Sequence, residues 1–255
     1  MLNSDTHTDW CLSGGADGAD LWWGLAASGL DHGVIHFSFR GARTAASPEQ
    51  LHILTEADLA AADPQCHQAN RTLRRRFPAH SPYVTDLLRR DWYQVAIANS
   101  CYAVSTLGLP PGPTLPLNTV VTGEVKGGTA WAVQMFIDRH EGAACACYLF
   151  DQVACHWFQW LDDGWTSIYE PPQPTGVYAG IGARELLPIG RTAIRVLMHD
   201  IIPVRLQCPQ TTEAARLRYE ARAVRMEGHK MGAWESLSEL MREELIRQES
   251  LRSTK

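Results

Sequence analysis

The sequence predicts an α/β fold built around a mainly parallel β-sheet, with a helical extension at the C-terminus. The first observation is a strand-helix-strand succession in residues 9–39, where "DWCLSGG", "ADLWWGLAASG" and "GVIHFSF" follow one another. A stretch of that length fits a βαβ unit, which joins two parallel strands. The second observation is that three separate segments end a strand in glycines and then open a helix. This is typical of an open parallel sheet whose ligand crevice lies beyond the ends of the strands.

The remaining segments continue the alternation of helices and strands. Residues 47–77 predict helices that are interrupted by prolines, and residues 81–99 predict a further helix, with the strand "SCYAVSTL" directly after it. A proline-rich loop then leads to "NTVVTGEVKGGTAWAVQMFIDRH", in which a glycine turn precedes a helix. The segment "ACYLFDQ" predicts the next strand. After a second proline-rich loop, "VYAGIGARELLPIGRTAIRVLMHD" repeats the succession of strand, glycine turn and helix.

The composition is that of an ordinary globular protein. The chain has 255 residues, of which 45% are hydrophobic and 20% charged, and a formal net charge of -5, so it can bury a substantial core. The charges are dispersed and form no basic face, which argues against a nucleic-acid partner. Residues 1–15 lack the basic and apolar regions of a secretory signal, and no segment reaches the length of a membrane span. We therefore expect a cytoplasmic protein without membrane attachment.

The chain contains seven cysteines, which we expect to be reduced thiols rather than a disulfide framework. Cys145 and Cys147 flank one alanine in a strand-like stretch, so both thiols would point to the same face. Cys155 and His156 are the nearby partners that a zinc site would need, but buried structural cysteines are the simpler interpretation. We expect no metal and no other cofactor.

The composition divides the chain into two parts. We assign residues 1–205 to the α/β domain and residues 206–255 to a C-terminal helical extension, which is rich in charged and helix-forming residues. Apolar residues in the extension recur at intervals of three and four and predict a single stripe. The stripe either packs against the domain or forms a homodimer through the C-terminal helices. Its members are Trp234, Leu237, Met241 and Leu245.

The three glycine turns are the candidate binding elements. Glycine lets the backbone approach a ligand closely, and the N-terminus of the following helix offers unpaired N–H groups and a positive dipole end, which suit a phosphate. Neither the dinucleotide fingerprint nor the P-loop pattern occurs, so a standard Rossmann dehydrogenase and a P-loop NTPase are not predicted. The candidate residues are Ser13, Gly14, Gly15, Asp17 and Asp20 in the first turn, Gly127, Gly128 and Thr129 in the second, and Gly180, Gly182 and Arg184 in the third.

Several side chains near the turns have two open interpretations. Asp17 and Asp20 either cap the following helix or contact a sugar hydroxyl. His36 and Ser38 share one face of their strand, where they either face a ligand or lie buried with their polar atoms satisfied. Arg184 either binds a phosphate or carboxylate or forms a surface ion pair.

Four segments of the chain share their patterns with one known superfamily. They are "LSGGADGAD", "LLRRDWYQVAIANSCYAV", "GGTAWAVQMFID" and "YAGIGARELLPIGRTAI". Together they resemble the SLOG superfamily, which includes the DNA-processing protein A group and the LOG phosphoribohydrolases. The resemblance implies a Rossmann-like three-layer sandwich. In the family the "AGIG" strand comes before the other turns, whereas here it comes after them. A circular permutation accounts for this order, and it predicts that the "VYAGIG" strand lies beside the "DWCLSGG" strand.

The resemblance also implies binding of a nucleotide. For the LOG enzymes it implies cleavage of the bond between the base and ribose 5-phosphate, with an arginine and a glutamate at the reacting centre. Arg90 is the nearest match to that arginine, with Arg89 beside it. Ala132 stands where the family has its glutamate. Glu124 and Glu185 are the candidates to supply a carboxylate from other loops, and the alternative is that both are solvated surface acids.

Trp131 and Gln134 lie on the helix that follows the second turn. Trp131 either stacks on a base or fills the core. We expect the protein to bind a phosphorylated nucleoside and to hydrolyse its N-glycosidic bond. In that reaction a carboxylate stabilises positive charge on the sugar, and a cation steadies the phosphate or the leaving group. The alternative is a non-catalytic module that senses a nucleotide or an NAD-derived signal.

Overall fold

The computed structural model describes residues 7–109, 115–140 and 145–199. The predicted C-terminal extension, its apolar stripe and the boundary at residue 205 lie outside these residues. The strands within them are β1 (Trp10–Ser13), β2 (Gly33–Phe39), β3 (Leu51–Leu54), β4 (Ser100–Ser105), β5 (Val120–Val121), β6 (Cys147–Asp151), β7 (His156–Leu161), β8 (Gly164–Ile168) and β9 (Val177–Gly182). The α-helices are α1 (Ala19–Ser28), α2 (Glu56–Ala61), α3 (Asp63–Leu73), α4 (Pro82–Val95), α5 (Thr129–Arg139) and α6 (Pro188–His199).

The strands form one mixed sheet in the order β3-β2-β1-β9-β4-β6-β7-β8-β5. The pairs from β3 to β6 are parallel, and the pairs from β6 through β7 and β8 to β5 are antiparallel. The predicted α/β class with a mainly parallel sheet is therefore confirmed. The strand-helix-strand succession at the N-terminus forms the parallel pair β1 and β2.

Strands β1 and β9, which are far apart in the chain, are direct neighbours in the sheet. They pair in parallel, with Trp10 opposite Val177 and Leu12 opposite Ala179. The glycine turns that follow these two strands therefore leave the sheet side by side.

Helices cover both faces of the sheet. Leu12, Ala103 and Ile181 belong to a core cluster with residues of α3, α4 and α5. Side chains of successive strand residues point to opposite faces, so Tyr102 points away from that cluster. There it meets Trp23 of α1, with the ring centroids 6.0 Å apart. Helices α1 and α6 contact each other on this side.

The structure differs from the sequence prediction in residues 47–77. Helices were expected throughout, but Leu51–Leu54 form strand β3, which pairs in parallel with β2 at the edge of the sheet. The strand ends at Thr55, where a capping box starts helix α2. The Thr55 hydroxyl accepts the Asp58 N–H (3.1 Å), and the Asp58 carboxylate accepts the Thr55 N–H (2.8 Å). Such a box satisfies two of the N–H groups that a helix start leaves unpaired.

The six cysteines of the described residues are free thiols, and all except Cys155 are buried. Within the same residues, no group of three or more His, Cys, Asp or Glu side chains could hold a metal ion. None of the helices within the described ranges is both long and apolar enough to cross a membrane.

Candidate functional site

The three glycine turns border one cleft of about 650 Å³ at the carboxyl ends of the parallel strands. The first turn contributes Asp17 and Asp20, the second contributes residues 126–129, and the third contributes residues 182–185. One face of α4 forms another wall of the cleft, with Leu88 and Asp91 among its lining residues. Segments that are distant in the sequence therefore present backbone and side-chain groups to a common space.

The first and third turns are packed directly on each other. Gly18 has a φ of 102°, and a Cβ atom there would lie 2.3 Å from the carbonyl oxygen of Arg184. The Ala19 N–H, at the start of α1, donates to the carbonyl oxygen of Ala183 at 3.0 Å. Only glycine combines this φ with such a close backbone approach. Gly18 thus fixes one edge of the cleft.

Arg90 reaches from α4 to the floor of the cleft and lies between two buried carboxyl groups. Its Nη1 atom is 3.2 Å from Asp20 Oδ2, and its Nη2 atom is 3.3 Å from Asp91 Oδ1. The Gly182 N–H donates to the other oxygen of Asp20 at 3.1 Å. The Arg90 side chain is only 8% exposed, and its Nε atom has no hydrogen-bond partner among the described residues. A buried donor without a partner is costly, so its presence calls for an explanation such as strain, a catalytic role, or a bound water or ion.

Gly14 makes room for this arginine. A Cβ atom at Gly14 would lie 1.3 Å from Arg90 Nη1 and 2.3 Å from Asp20 Oδ2. No side chain fits at this position without displacing the ion pair. The glycine of the "SGG" turn therefore serves the Arg90–Asp20 contact rather than an approach to a ligand.

Burial shifts both carboxyl groups toward their protonated forms. It raises the pKa of Asp91 to about 7, a shift that Arg90 opposes and the charge of Asp20 supports. Burial also raises the pKa of Asp20, while Arg90 and the Gly182 N–H lower it. Near neutral pH Asp91 therefore exchanges a proton readily, which is the property of a general acid or base.

The second turn leaves open space above the N-terminus of α5. Apart from the residues adjacent in the chain, no described residue has an atom within 4 Å of where a Cβ would stand at Gly127 or Gly128. The turn itself is held from outside the cleft by Arg75, which donates to the carbonyl oxygens of Gly127 (2.7 Å) and Val125 (2.9 Å). Lys126 and Thr129 flank this space. The combination of free helix N–H groups, a hydroxyl and an ammonium group suits an anion.

The structure brings nine of the predicted site residues to the cleft. They are Asp17, Asp20, Arg90, Gly127, Gly128, Thr129, Gly182, Arg184 and Glu185. Neither Asp17 nor Asp20 caps α1, because the N-cap is Gly18 and no side chain bonds there. Neither residue is therefore a cap, although Asp20 does lie in the first turn of α1, where an acidic residue suits the helix dipole. Arg184 and Glu185 are exposed at the rim.

Other predicted residues of the first turn and of β2 do not line the cleft and instead support the fold around it. The buried Ser13 hydroxyl lies between the carbonyl oxygens of Asp20 (2.9 Å) and Gly180 (2.6 Å). Gly15 turns the chain with a φ of 62°. His36 and Ser38 are buried and do not line the cleft.

His36 differs from the expected buried and satisfied histidine. A Cβ at Gly24 of α1 would lie 2.3 Å from His36 Nε2, so the ring is packed against that helix. Its Nδ1 atom has no partner among the described residues. Burial, together with the charge of Arg90, lowers the pKa of His36 to about 4, and the ring is neutral at pH 7.

Three further candidates also lie away from the cleft. Gly180 lies beneath Trp23, whose Cβ atom is 2.6 Å from where a glycine Cβ would stand. Trp131 is buried against Phe77, with ring centroids 5.7 Å apart, and belongs to the core. The Gln134 amide donates to Asp138 along α5 at 2.7 Å.

Glu124 lines a neighbouring groove of about 520 Å³ rather than the central cleft. Trp160 and Asp163 form another part of that groove, and Lys126 borders both spaces. Glu124 is therefore not near Arg90's carboxyl partners, and the acids beside the arginine are Asp20 and Asp91.

Arg89, adjacent to Arg90 in sequence, does not line the cleft. Its guanidinium group donates to both oxygens of Asp63 at 2.7 and 2.9 Å. A two-bond pair of this kind fixes relative orientation. Arg89 therefore ties α4 to α3, while Arg90 serves the cleft.

Sequence reasoning missed Asp91, Gln94 and Lys126 as lining residues. Asp91 and Gln94 occupy positions on the buried face of α4 that follow Leu88 at helical spacing. Polar residues on an otherwise apolar helical stripe are the signal that could have identified them.

No family model, curated protein or solved structure matches this chain.

Proposed function

We propose that the protein is a SLOG-like, Rossmann-like domain that binds a phosphorylated nucleoside in the central cleft and hydrolyses its N-glycosidic bond. One observation carries this proposal: Arg90, with its free Nε donor, lies between Asp20 and Asp91 in a cleft bordered by three glycine turns. Groups suited to binding a phosphate and to acid-base chemistry thus border one space.

The phosphate end of the ligand lies at the second turn in this proposal. The open space above Gly127 and Gly128 lets a phosphate approach the first N–H groups of α5. The Thr129 hydroxyl adds a donor, and Lys126, which borders both the cleft and the neighbouring groove, adds a positive charge nearby. Arg184 at the rim supplies a second cation, whose planar fork suits two phosphate oxygens.

The reacting end lies at the Arg90 cluster. Breaking the N-glycosidic bond develops positive charge on the sugar, which a nearby carboxylate stabilises. Asp20 is suited to this role because the Arg90 guanidinium and the Gly182 N–H both donate to it. Water adds to the sugar carbon, and the products are ribose 5-phosphate and the free base.

The test is incubation of the protein with a panel of nucleoside 5'-monophosphates, followed by chromatography for free base. We expect release from at least one of them. Arg184→Ala should weaken binding about tenfold or more, because it removes a phosphate cation from an exposed position where folding is unaffected. Arg71→Ala is the matched control, since Arg71 is exposed on α3 and does not line the cleft. Equal affinities for the two variants would contradict the phosphate assignment.

A second candidate is a non-catalytic module that senses a nucleotide or an NAD-derived signal. The observation that favours it is Ala132, which lines the cleft where the LOG enzymes have their glutamate. The same panel separates the two functions. A nucleotide that binds with micromolar affinity and is recovered intact after prolonged incubation identifies the sensor.

A further inference from the structure

We infer that Asp91 is a catalytic residue that donates the proton to the departing base. The inference rests on the proposed hydrolysis and goes beyond it, since neither the glycine turns nor the family motifs assign a role to this residue. It also gives the two buried carboxyl groups different roles. Asp91 is the acid, and Asp20 is the carboxylate that pairs with Arg90.

The first support is the position of the Asp91 side chain. It projects from the face of α4 that lines the cleft, and it is 11% exposed, so it is both shielded and reachable. Its neighbours Leu88 and Leu87 line the cleft as well. An acid in such partly apolar surroundings retains its proton at a higher pH than one in water.

The second support is how the Asp91 carboxyl group is held. The Gln94 amide donates to Oδ1 at 3.1 Å, and Arg90 Nη2 is 3.3 Å from the same oxygen. Both contacts fall on Oδ1, and Oδ2 makes no hydrogen bond to any residue that the structure describes. A proton on Oδ2 is therefore available for donation to a ligand in the cleft.

The third support is the contrast with Asp20. Both Asp20 oxygens accept hydrogen bonds, one from Arg90 and the other from the Gly182 N–H. These donors oppose the effect of burial and favour the ionised form of Asp20, whereas both donors to Asp91 meet one oxygen and leave the other free. Two carboxyl groups with different surroundings are how glycosidases separate a proton donor from a carboxylate that stabilises the sugar.

The reaction step balances with water as the only co-reactant. The electron pair of the bond between the sugar carbon and the base nitrogen stays with the nitrogen, which takes the proton from Asp91 Oδ2. Water forms the new bond to the sugar carbon and loses one proton to the Asp20 carboxylate. Asp20 then releases this proton to solvent, and Asp91 takes one up, so that the net change is addition of water across the bond.

The experiment compares two leaving groups in wild type and Asp91→Asn. One substrate is the nucleoside 5'-monophosphate that the wild type cleaves, and the other is 4-nitrophenyl ribofuranoside 5-phosphate, whose phenolate leaves without a proton. Asparagine matches the protonated carboxyl group in shape. Base release should fall about 100-fold or more, as for loss of a general acid, while nitrophenolate release should stay within about threefold. Asp86→Asn, on α4 but outside the cleft, is the control and should leave both rates unchanged.

The outcomes separate this inference from the function on which it rests. Equal loss of both rates in Asp91→Asn, or full retention of base release, overturns the role of Asp91 while the hydrolase stands. A wild type that releases neither base nor nitrophenolate overturns the hydrolase and Asp91 together. Cooperative unfolding of Asp91→Asn in urea, as for the wild type, shows that the variant is folded.

Discussion

At the scale of single residues, the cleft depends on Arg90, a charged side chain that is buried. Arg90 is buried with two carboxyl groups, and truncating one member of such a cluster leaves an uncompensated buried charge. Gly14 is part of the same arrangement, because any side chain there would occupy the space of the guanidinium group.

The raised pKa of Asp91 predicts how the free energy of unfolding depends on pH. Because the folded protein binds this proton more tightly than the unfolded chain, the group stabilises the fold at low pH. That contribution is lost as the pH rises toward about 7. The Asp91→Asn variant has no carboxyl group at this position and does not lose this contribution as the pH rises. Relative to wild type, its free energy of unfolding should rise by about 2 kcal/mol between about pH 5 and about pH 7.

Urea denaturation of both proteins at the two pH values measures this difference directly. Asp20 is present in both proteins, so its own titration cancels to first order. A difference that is constant or that shrinks with increasing pH would contradict the assignment of a raised pKa to Asp91.

At the scale of secondary-structure elements, the turns are locked to one another by backbone contacts. Gly18 brings the start of α1 against the turn after β9, and Gln152, just after β6, bonds both the Glu185 carbonyl (3.2 Å) and the Leu187 N–H (2.7 Å). The cleft walls are thus connected across three strands. Disturbing the first turn should therefore disturb the third.

Gly18→Ala tests this connection. Both the left-handed φ and the 2.3 Å approach to the Arg184 carbonyl oppose an alanine, so we expect a loss of stability of about 3 kcal/mol or more. Gly41→Ala is the matched control, since Gly41 has a φ of 88° but no atom within 4 Å of its Cβ position. The φ cost alone is about 1 kcal/mol. Similar losses for the two variants, measured by chemical denaturation, would show that the contact between the turns is not tight.

At the same scale, the sequence was informative where periodicity was strong. The first and third glycine turns follow parallel strands as predicted, because an apolar strand, glycines and a helical stripe occur there in succession. The second turn follows β5, a two-residue edge strand that pairs antiparallel with β8. Strand β3 was missed because four residues between helix-forming stretches carry little periodic signal, and its pairing with β2 decides its conformation. The β7–β8 hairpin was not predicted either. It closes at Asp162 and Asp163, which both adopt positive φ.

The candidate site was only partly predictable for a related reason. Residues at the ends of strands could be assigned to one edge of the sheet, because parallel strands share that edge. Asp91 and Gln94 come from the middle of a helix, and their place in the cleft depends on how α4 packs on the sheet. Glu124 was a candidate by chain proximity to the second turn, but its side chain lines the neighbouring groove.

At the scale of the whole molecule, the sheet order explains why remote segments meet. β9 lies between β1 and β4, although it comes last of the nine strands in the described chain. The turn after β9 therefore lies between the ends of β1 and β4. The second glycine turn follows β5 in the chain, and the Lys126 N–H in it donates to the Thr106 carbonyl oxygen, just after β4, at 2.9 Å, which brings this turn to the same edge. The central claim is that these turns form one nucleotide site.

Hydrogen exchange with and without the nucleoside 5'-monophosphate tests that claim most directly. We predict slower amide exchange in residues 13–20, 126–130 and 182–187 together, with the same dependence on nucleotide concentration for all three segments. Protection of a single turn, or of none at a saturating concentration, would contradict the claim.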